Sequence, residues 1–317
     1  EAATIGREAV AQAQVHGGQI ATVVFAADAQ AAAAPAAPAA ASAADVAHRR
    51  VPVTRAALEK AAQRLAQGNA LLLIGGDALS TQGLRAAQRI VAKTGAAFYC
   101  ETFPAVMERG HQLPAPERFP YFPEPAFALV ERMDSVVVAG APEPVTYFGW
   151  PGYPSRIAEE PKLVMLSDPQ GQAAYALELL AEMLDCPPCN HAAPRMARAP
   201  STTWDGAAAA RTVAAWLPEG AIVSVEGGTC GYPFFTASAA AAPHTVMTNT
   251  GGAIGQGLPV ALGAALAAPG RRVVGLQSDG SAQYTLQSLW TMARERLPIT
   301  IVIAANRRYA VLQNELV

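Results

Sequence analysis

The feature that most constrains this chain is a recurring alternation of short apolar runs with longer amphipathic stretches. Residues 71–74, 97–100, 135–139 and 162–166 are such runs, separated by helix-type segments. Continuous apolar runs, unlike strictly alternating ones, mark strands buried on both faces between helices. The pattern returns further on: a helix over 205–216 precedes strands over 221–225, 272–277 and 299–304, with a helix over 285–294 before the last. The pattern specifies an α/β fold, built of three-layer domains whose parallel sheets carry helices on both faces.

The 317 residues exceed the roughly 100–200 residues of one ordinary domain. Residues 1–29, a helix over 5–15 feeding a strand over 19–25, read as the tail of a preceding domain. Residues 30–50, dominated by alanine with Pro35 and Pro38, read as a linker. A middle domain is expected over 51–186, opened by Thr54 as the cap of a helix that Gly68-Asn69 stops. Residues 187–200 form a second linker, and 201–317 a third domain with too few strands to complete its sheet. With no initiating methionine, the chain is expected to lack both its beginning and its end. The proline- and aromatic-rich segment 101–125 keeps two readings open, an ordered excursion packed on its own domain or a loop facing substrate or another subunit. Tyr147, Phe148, Trp150 and Tyr153, around Pro151-Gly152, are open to the same two readings.

Composition removes several function classes. The net charge is −2 and no lysine–arginine block forms, so no nucleic-acid partner is expected. Apolar runs such as 70–74 and 299–305 fall far short of the roughly 20 residues that span a bilayer, so no membrane association is expected. Four cysteines in a chain this long suit a reducing cytoplasm. Cys186 and Cys189 have CxxC spacing but no second pair to complete a zinc site, and their prolines mark an interdomain loop. Gly75-Gly76-Asp77 follows a strand and could cradle phosphate, yet a strand-to-helix turn needs glycine anyway. A nicotinamide-dependent dehydrogenase rests there on fold analogy alone.

The strand over 272–277 delivers Ser278-Asp279-Gly280-Ser281 at its carboxyl end, where open α/β sheets bind ligands. Asp279 suits a metal, Gly280 permits close backbone approach, and Ser281-Ala282 open a helix whose free amides favour an anion. The 25 residues between Gly280 and Asn306 accommodate one helix and one return strand, which sets Asp279 beside Asn306. Carboxylate, amide and carbonyl oxygens with diphosphate oxygens make a hard shell suited to Mg²⁺.

These residues resemble a known family. Ser278-Asp279-Gly280-Ser281 followed by Asn306 is similar to the thiamine diphosphate motif, and residues 250–259, TGGAIGQGLP, to the loop that grips the cofactor's centre. Residues 281–290 and 306–316 also look like the acetolactate synthase-like and benzoylformate decarboxylase-like enzymes. The resemblance implies a thiamine diphosphate-binding fold, a Rossmann-like middle domain and the end of a pyrimidine-binding domain. It implies Mg²⁺ held by Asp279, Asn306 and the Arg308 carbonyl, with diphosphate on Gly280, Ser281 and Ala282. Ile254, with Ala253 beside it, would lie beneath the cofactor and bend it, and the Gly252 carbonyl would accept from its amino group. Glu226 to Cys230 match a loop that reaches the diphosphate in relatives. Ser278 and Ala305 depart from the family's GDG and NN, at positions that supply no metal-binding side chain. The family's catalytic glutamate would lie upstream of residue 1, so the catalytic residue is unknown and this chain alone is expected to be inactive. The segments at 140–142 and 151–152 look more like a benzoylformate decarboxylase than an FAD-binding acetolactate synthase, so FAD is not expected. The activity this resemblance implies is that of a decarboxylase or carboligase of a small 2-oxo acid, a lyase or transferase working as a homodimer or homotetramer. The alternative is a non-catalytic cofactor-binding homologue or assembly partner.

Overall fold

The structure is a computed structural model, and it describes residues 2–14, 21–33, 52–169, 171–189 and 204–315. Most of the linkers expected at 30–50 and 187–200 lies outside these residues. Helix α1 (Ala2–Gln14) forms as expected, but residues 21–26 carry no strand, and a short helix, α2 (Ala27–Ala31), follows them. A run such as ATVVF has strand propensity, but a strand needs a partner ladder, and among the described residues none pairs with it.

The first sheet begins with α3 (Arg55–Ala66), whose cap Thr54 accepts the Ala57 amide at 3.2 Å. Strand β1 (Ala70–Ile74), α4 (Thr81–Thr94), β2 (Ala97–Cys100), β3 (Val106–Arg109), β4 (Glu117–Arg118), α5 (Pro123–Glu131), β5 (Ser135–Ala139), β6 (Leu163–Ser167) and α6 (Ala173–Met183) come next along the chain. The strands stand in the parallel order β4-β2-β1-β5-β6, without β3. Alternate side chains sort to opposite faces: Leu72, Ile74 and Val137 pack with α3, α4 and α6, while Leu71, Leu73 and Val138 pack with α5.

The second sheet comprises α7 (Gly206–Trp216), β7 (Ala221–Val225), α8 (Gly228–Ala237), β8 (His244–Thr248), α9 (Gly257–Ala267), β9 (Val273–Ser278), α10 (Asp279–Ala282), α11 (Gln287–Arg294), β10 (Ile299–Ala304) and α12 (Ala310–Glu315). Its order is β10-β9-β7-β8-β3. Four strands are parallel, and β3 joins β8 antiparallel, with Val106 opposite Met247 and Arg109 opposite His244. The excursion at 101–125 therefore leaves the first sheet and completes the edge of the second. The sequence pattern also omits α8, β8 and α9. Residues 228–237 carry Pro233 and glycines inside the helix, HTVMT is half polar, and 257–267 is apolar all round and shows no period.

Candidate functional site

Each sheet has a switch point, where the chain stops adding strands on one side and begins on the other; ligands in open α/β sheets gather there. In the second sheet it lies between β7 and β9, whose carboxyl ends present Glu226-Gly227 and Asp279-Gly280. Ser278 is level with Ala304 of β10, so Asp279 and Asn306 emerge side by side, as the spacing predicts. The Arg307 amide donates to Asp279 Oδ2 at 2.9 Å, and the Arg308 amide donates to Asn306 Oδ1 at 2.9 Å. Arg307 adopts φ 54°, a left-handed conformation that L-residues hold only when their surroundings demand it. Asn306 Nδ2 reaches Thr229 Oγ1 at 3.4 Å, which ties this turn to the start of α8.

Ser281 is occupied within its own turn. Its hydroxyl accepts the Ser278 amide at 3.2 Å and lies 3.0 Å from Gln277 Oε1, so a short helix starts at Asp279, two residues earlier than the sequence suggests. Ala282 is buried beneath, whereas a side chain at Gly280 would meet nothing within 4 Å. The space above the turn is open. The half-buried Asp279 carboxylate and the exposed Asn306 amide oxygen are the donor chemistry a hard divalent cation requires.

The loop that carries Gly252, Ala253 and Ile254 is held by an acid whose anchoring part the sequence did not disclose. Glu226 accepts the backbone amides of Gly255 and of Gly257, the latter at 2.5 Å, and the Gln277 side-chain amide at 3.2 Å. A Cβ at Gly257 would strike the Gln277 amide and lie 2.5 Å from Glu226 Oε2, so glycine is required there. Thr285 Oγ1 donates to the Gly255 carbonyl at 2.7 Å from the other side. Gly251, Gly252 and Gly255 turn with φ 64°, 71° and 100°. The tethered loop presents Ile254 as a bared apolar side chain, 51% exposed. A chain of hydrogen bonds, Ser281 to Gln277 to Glu226 to the loop, thus joins the two groups of predicted residues. An acid directly after an apolar strand and before Gly227-Gly228 was the available signal.

The excursion closes one side. Thr248 Oγ1 donates to the Pro104 carbonyl at 2.8 Å, and the Phe103 ring stands 3.7 Å from the place of a Cβ on Gly252. Behind it lie two cations with no carboxylate ion pair among the described residues. Arg109 donates to Ser238 Oγ at 3.0 Å and to the Phe235 carbonyl at 2.5 Å, and its guanidinium lies 3.9 Å over the Phe235 ring. Burial, with the Arg118 charge nearby, pulls Arg109 down to about 10. Arg118 packs over Phe103, Tyr232 and Phe235 and donates to the Thr102 carbonyl.

Residues 228–316 match the family described as thiamine pyrophosphate enzyme, C-terminal TPP binding domain. Residues 228–316 thus carry a thiamine pyrophosphate-binding domain of the kind found in the thiamine diphosphate enzymes. It is 45% identical over 251 residues to the Mycobacterium tuberculosis protein named "Putative acetolactate synthase large subunit IlvX", an alignment covering 78% of this chain and 48% of that protein. Over 71 residues it is 41% identical to benzoylformate decarboxylase of Pseudomonas aeruginosa, covering 22% of this chain and 13% of that one. The fold is shared with the thiamine diphosphate-dependent 4-hydroxybenzoylformate decarboxylase of Rhodococcus jostii RHA1, with TM-score 0.66, 23% identity, and coverage of 83% of this chain and 53% of that one. It is shared too with the benzoylformate decarboxylase of Polynucleobacter necessarius, with TM-score 0.67, 22% identity and coverage of 86% and 56%. The chain spans about half the length of the mycobacterial relative and of both solved structures.

Proposed function

We propose that the protein carrying this chain is a thiamine diphosphate- and Mg²⁺-dependent decarboxylase or carboligase of 2-oxo acids. The observation that carries the reading is the convergence of Asp279, Asn306 and the Glu226-tethered Ile254 loop on one switch point. Asp279, Asn306 and the Arg308 carbonyl would hold Mg²⁺, and the backbone of Gly280, Ser281 and Ala282 would face the diphosphate. When bound, the cofactor supplies an electron sink for the bond between the carboxylate and the 2-oxo carbon. The chain's own part is placement and charge. Glu226 would fix the loop so that Ile254 and the Gly252 carbonyl could meet the cofactor's centre without reorganising.

Exposed apolar side chains, including Trp290 at 65%, Tyr284, Leu286 and Ile303 on the β10 edge, support burial against further protein in a homodimer or homotetramer. Four free cysteines fit a reducing cytoplasm.

The test is a panel of 2-oxo acids with the intact protein, with thermal melting followed in parallel. Consumption of one of them that requires both thiamine diphosphate and Mg²⁺ supports the reading. Stabilisation by the cofactor with no turnover across the panel would favour a non-catalytic homologue, and stabilisation by NAD instead would remove the assignment.

A further inference from the structure

Beneath the site a single buried amide touches both of its halves. Resting on the reading above, we propose that Gln277 is a positioning residue that couples the turn at Asp279 to the loop at Ile254, so that Mg²⁺ and diphosphate oxygens held by the turn set the loop.

Gln277 is wholly buried, after Val273, Val274, Gly275 and Leu276 in β9. An amide in such a place is costly unless both of its ends are met. Its nitrogen donates to Glu226 Oε2 at 3.2 Å, and its oxygen lies 3.0 Å from the Ser281 hydroxyl. Chemistry fixes this orientation, because the amide turned over would set its oxygen against the Glu226 carboxylate, acceptor on acceptor. The Ser281 hydroxyl proton is thereby directed inward to Gln277, and its oxygen receives the Ser278 amide at 3.2 Å. The Ser278 carbonyl, also 3.2 Å away, competes for that proton, but losing it would leave a buried oxygen with no other donor among the described residues. Gln277 has no room to turn aside either, since a Cβ on Gly257 would already strike its amide. At the far end Glu226 gathers the Gly255 and Gly257 amides, and Thr285, just past α10, donates to the Gly255 carbonyl at 2.7 Å. Gly255 is therefore held at its amide through Gln277 and Glu226 and at its carbonyl through Thr285. Both holds start from the stretch that carries Asp279. Ordering the turn orders Ser281, Gln277 and Glu226 in series, and it removes freedom that the loop would otherwise lose later. Two places can be coupled in this way with no change of shape.

Hydrogen–deuterium exchange of the intact protein tests the coupling with a probe that has no group to touch the loop, Mg²⁺ with inorganic pyrophosphate. Exchange should slow about fivefold or more at 279–282 and also over 251–257. Gln277→Met, close in shape and without the amide, and Ser281→Ala should each keep the slowing at 279–282 and lose it over 251–257. A merely structural role would instead speed exchange in both places without ligand and leave the ligand-induced slowing in step. Ser281 is half-buried and its variant removes one oxygen, so it serves where Gln277→Met fails to fold. Thiamine diphosphate with Mg²⁺, which would reach both places directly, is the control. Slowing at 279–282 alone in the parent protein, slowing by thiamine diphosphate but not by pyrophosphate, or loop slowing that survives both variants would overturn the coupling. No slowing with either ligand would remove the reading beneath it, and the coupling with it.

Discussion

The two sheets share a plan and differ in what fills the switch point. In each, the first strand is central, the second lies on one side, and the later two lie on the other: β2-β1-β5-β6 in one, β8-β7-β9-β10 in the other. In the first sheet, Gly75 and Gly140 face each other with φ 75° at Gly140, and a Cβ on Gly140 would collide with the Gly75 carbonyl. Backbone closes that crevice, which accounts for the glycines that could have been read as a phosphate cradle. In the second sheet Gly227 lets the backbone approach β9, since a Cβ there would lie 2.6 Å from the Ser278 nitrogen, while Glu226 spans the gap and ties down a loop. One topology therefore supplies a closed seam in one place and a candidate site in another.

The comparison breaks if the wrong switch point binds the cofactor. Asp279→Ala should weaken Mg²⁺-dependent thiamine diphosphate binding at least about 100-fold, the scale of losing a charged ligand. Asp77→Ala, after β1 of the first sheet, removes an acceptor for the Ala174 amide, 3.2 Å away. It should cost about 1 kcal/mol of stability and leave cofactor affinity unchanged. Calorimetric titration of both variants checks the contrast.

Gly257→Ala should be the next largest effect, because the new Cβ meets Glu226 and the Gln277 amide with no room to shift. A loss of about 1–3 kcal/mol in urea unfolding is expected, together with weaker cofactor binding. Gly140→Ala should cost as much stability with no effect on the cofactor.

Opposite pH responses sharpen the comparison. Glu101, at the end of β2, has its carboxyl pushed up to about 7 by burial, against the Gly76 amide at 3.1 Å. The folded state keeps that proton where the unfolded chain releases it, so stability falls as pH rises from about 4.5 to 7. Glu101→Gln should remove this loss, gaining about 2 kcal/mol at pH 8 and little at pH 4.5. His244, at the start of β8, goes the other way. Its Nδ1 bonds the Ala242 carbonyl at 2.7 Å and its buried Nε2 has no partner among the described residues, so burial pulls it down to about 4. Its neutral ring in the fold makes stability fall as pH drops from 6.5 towards 4, and His244→Phe should flatten that limb. Unfolding midpoints from about pH 4 to 8 measure both. The smallest effect is Thr54→Ala, about 1 kcal/mol of stability from losing a cap, with the cofactor untouched.

Much of the site was legible in the chain because its spacing is short. Asp279 and Asn306 are one helix and one strand apart, and parallel neighbours align their carboxyl ends. The β1, β5 and β7 runs announced themselves because burial on both faces favours apolar residues. The roles of Glu226 and Phe103 were not legible. Glu226 works on amides about 30 positions later, and Phe103 lies nearly 150 positions before the glycine it touches. Neither contact leaves a local periodicity.

By itself the sequence determined the parallel α/β layers, the capped start of α3 and the pairing of Asp279 with Asn306, since each depends on neighbours within one or two elements. Tertiary structure alone decided that β3 crosses to the second sheet, that Glu226 anchors the Ile254 loop and that the aromatic excursion stands against Gly252. The reason is physical: pattern records which residues must be buried, while only the folded chain settles which distant surface buries them.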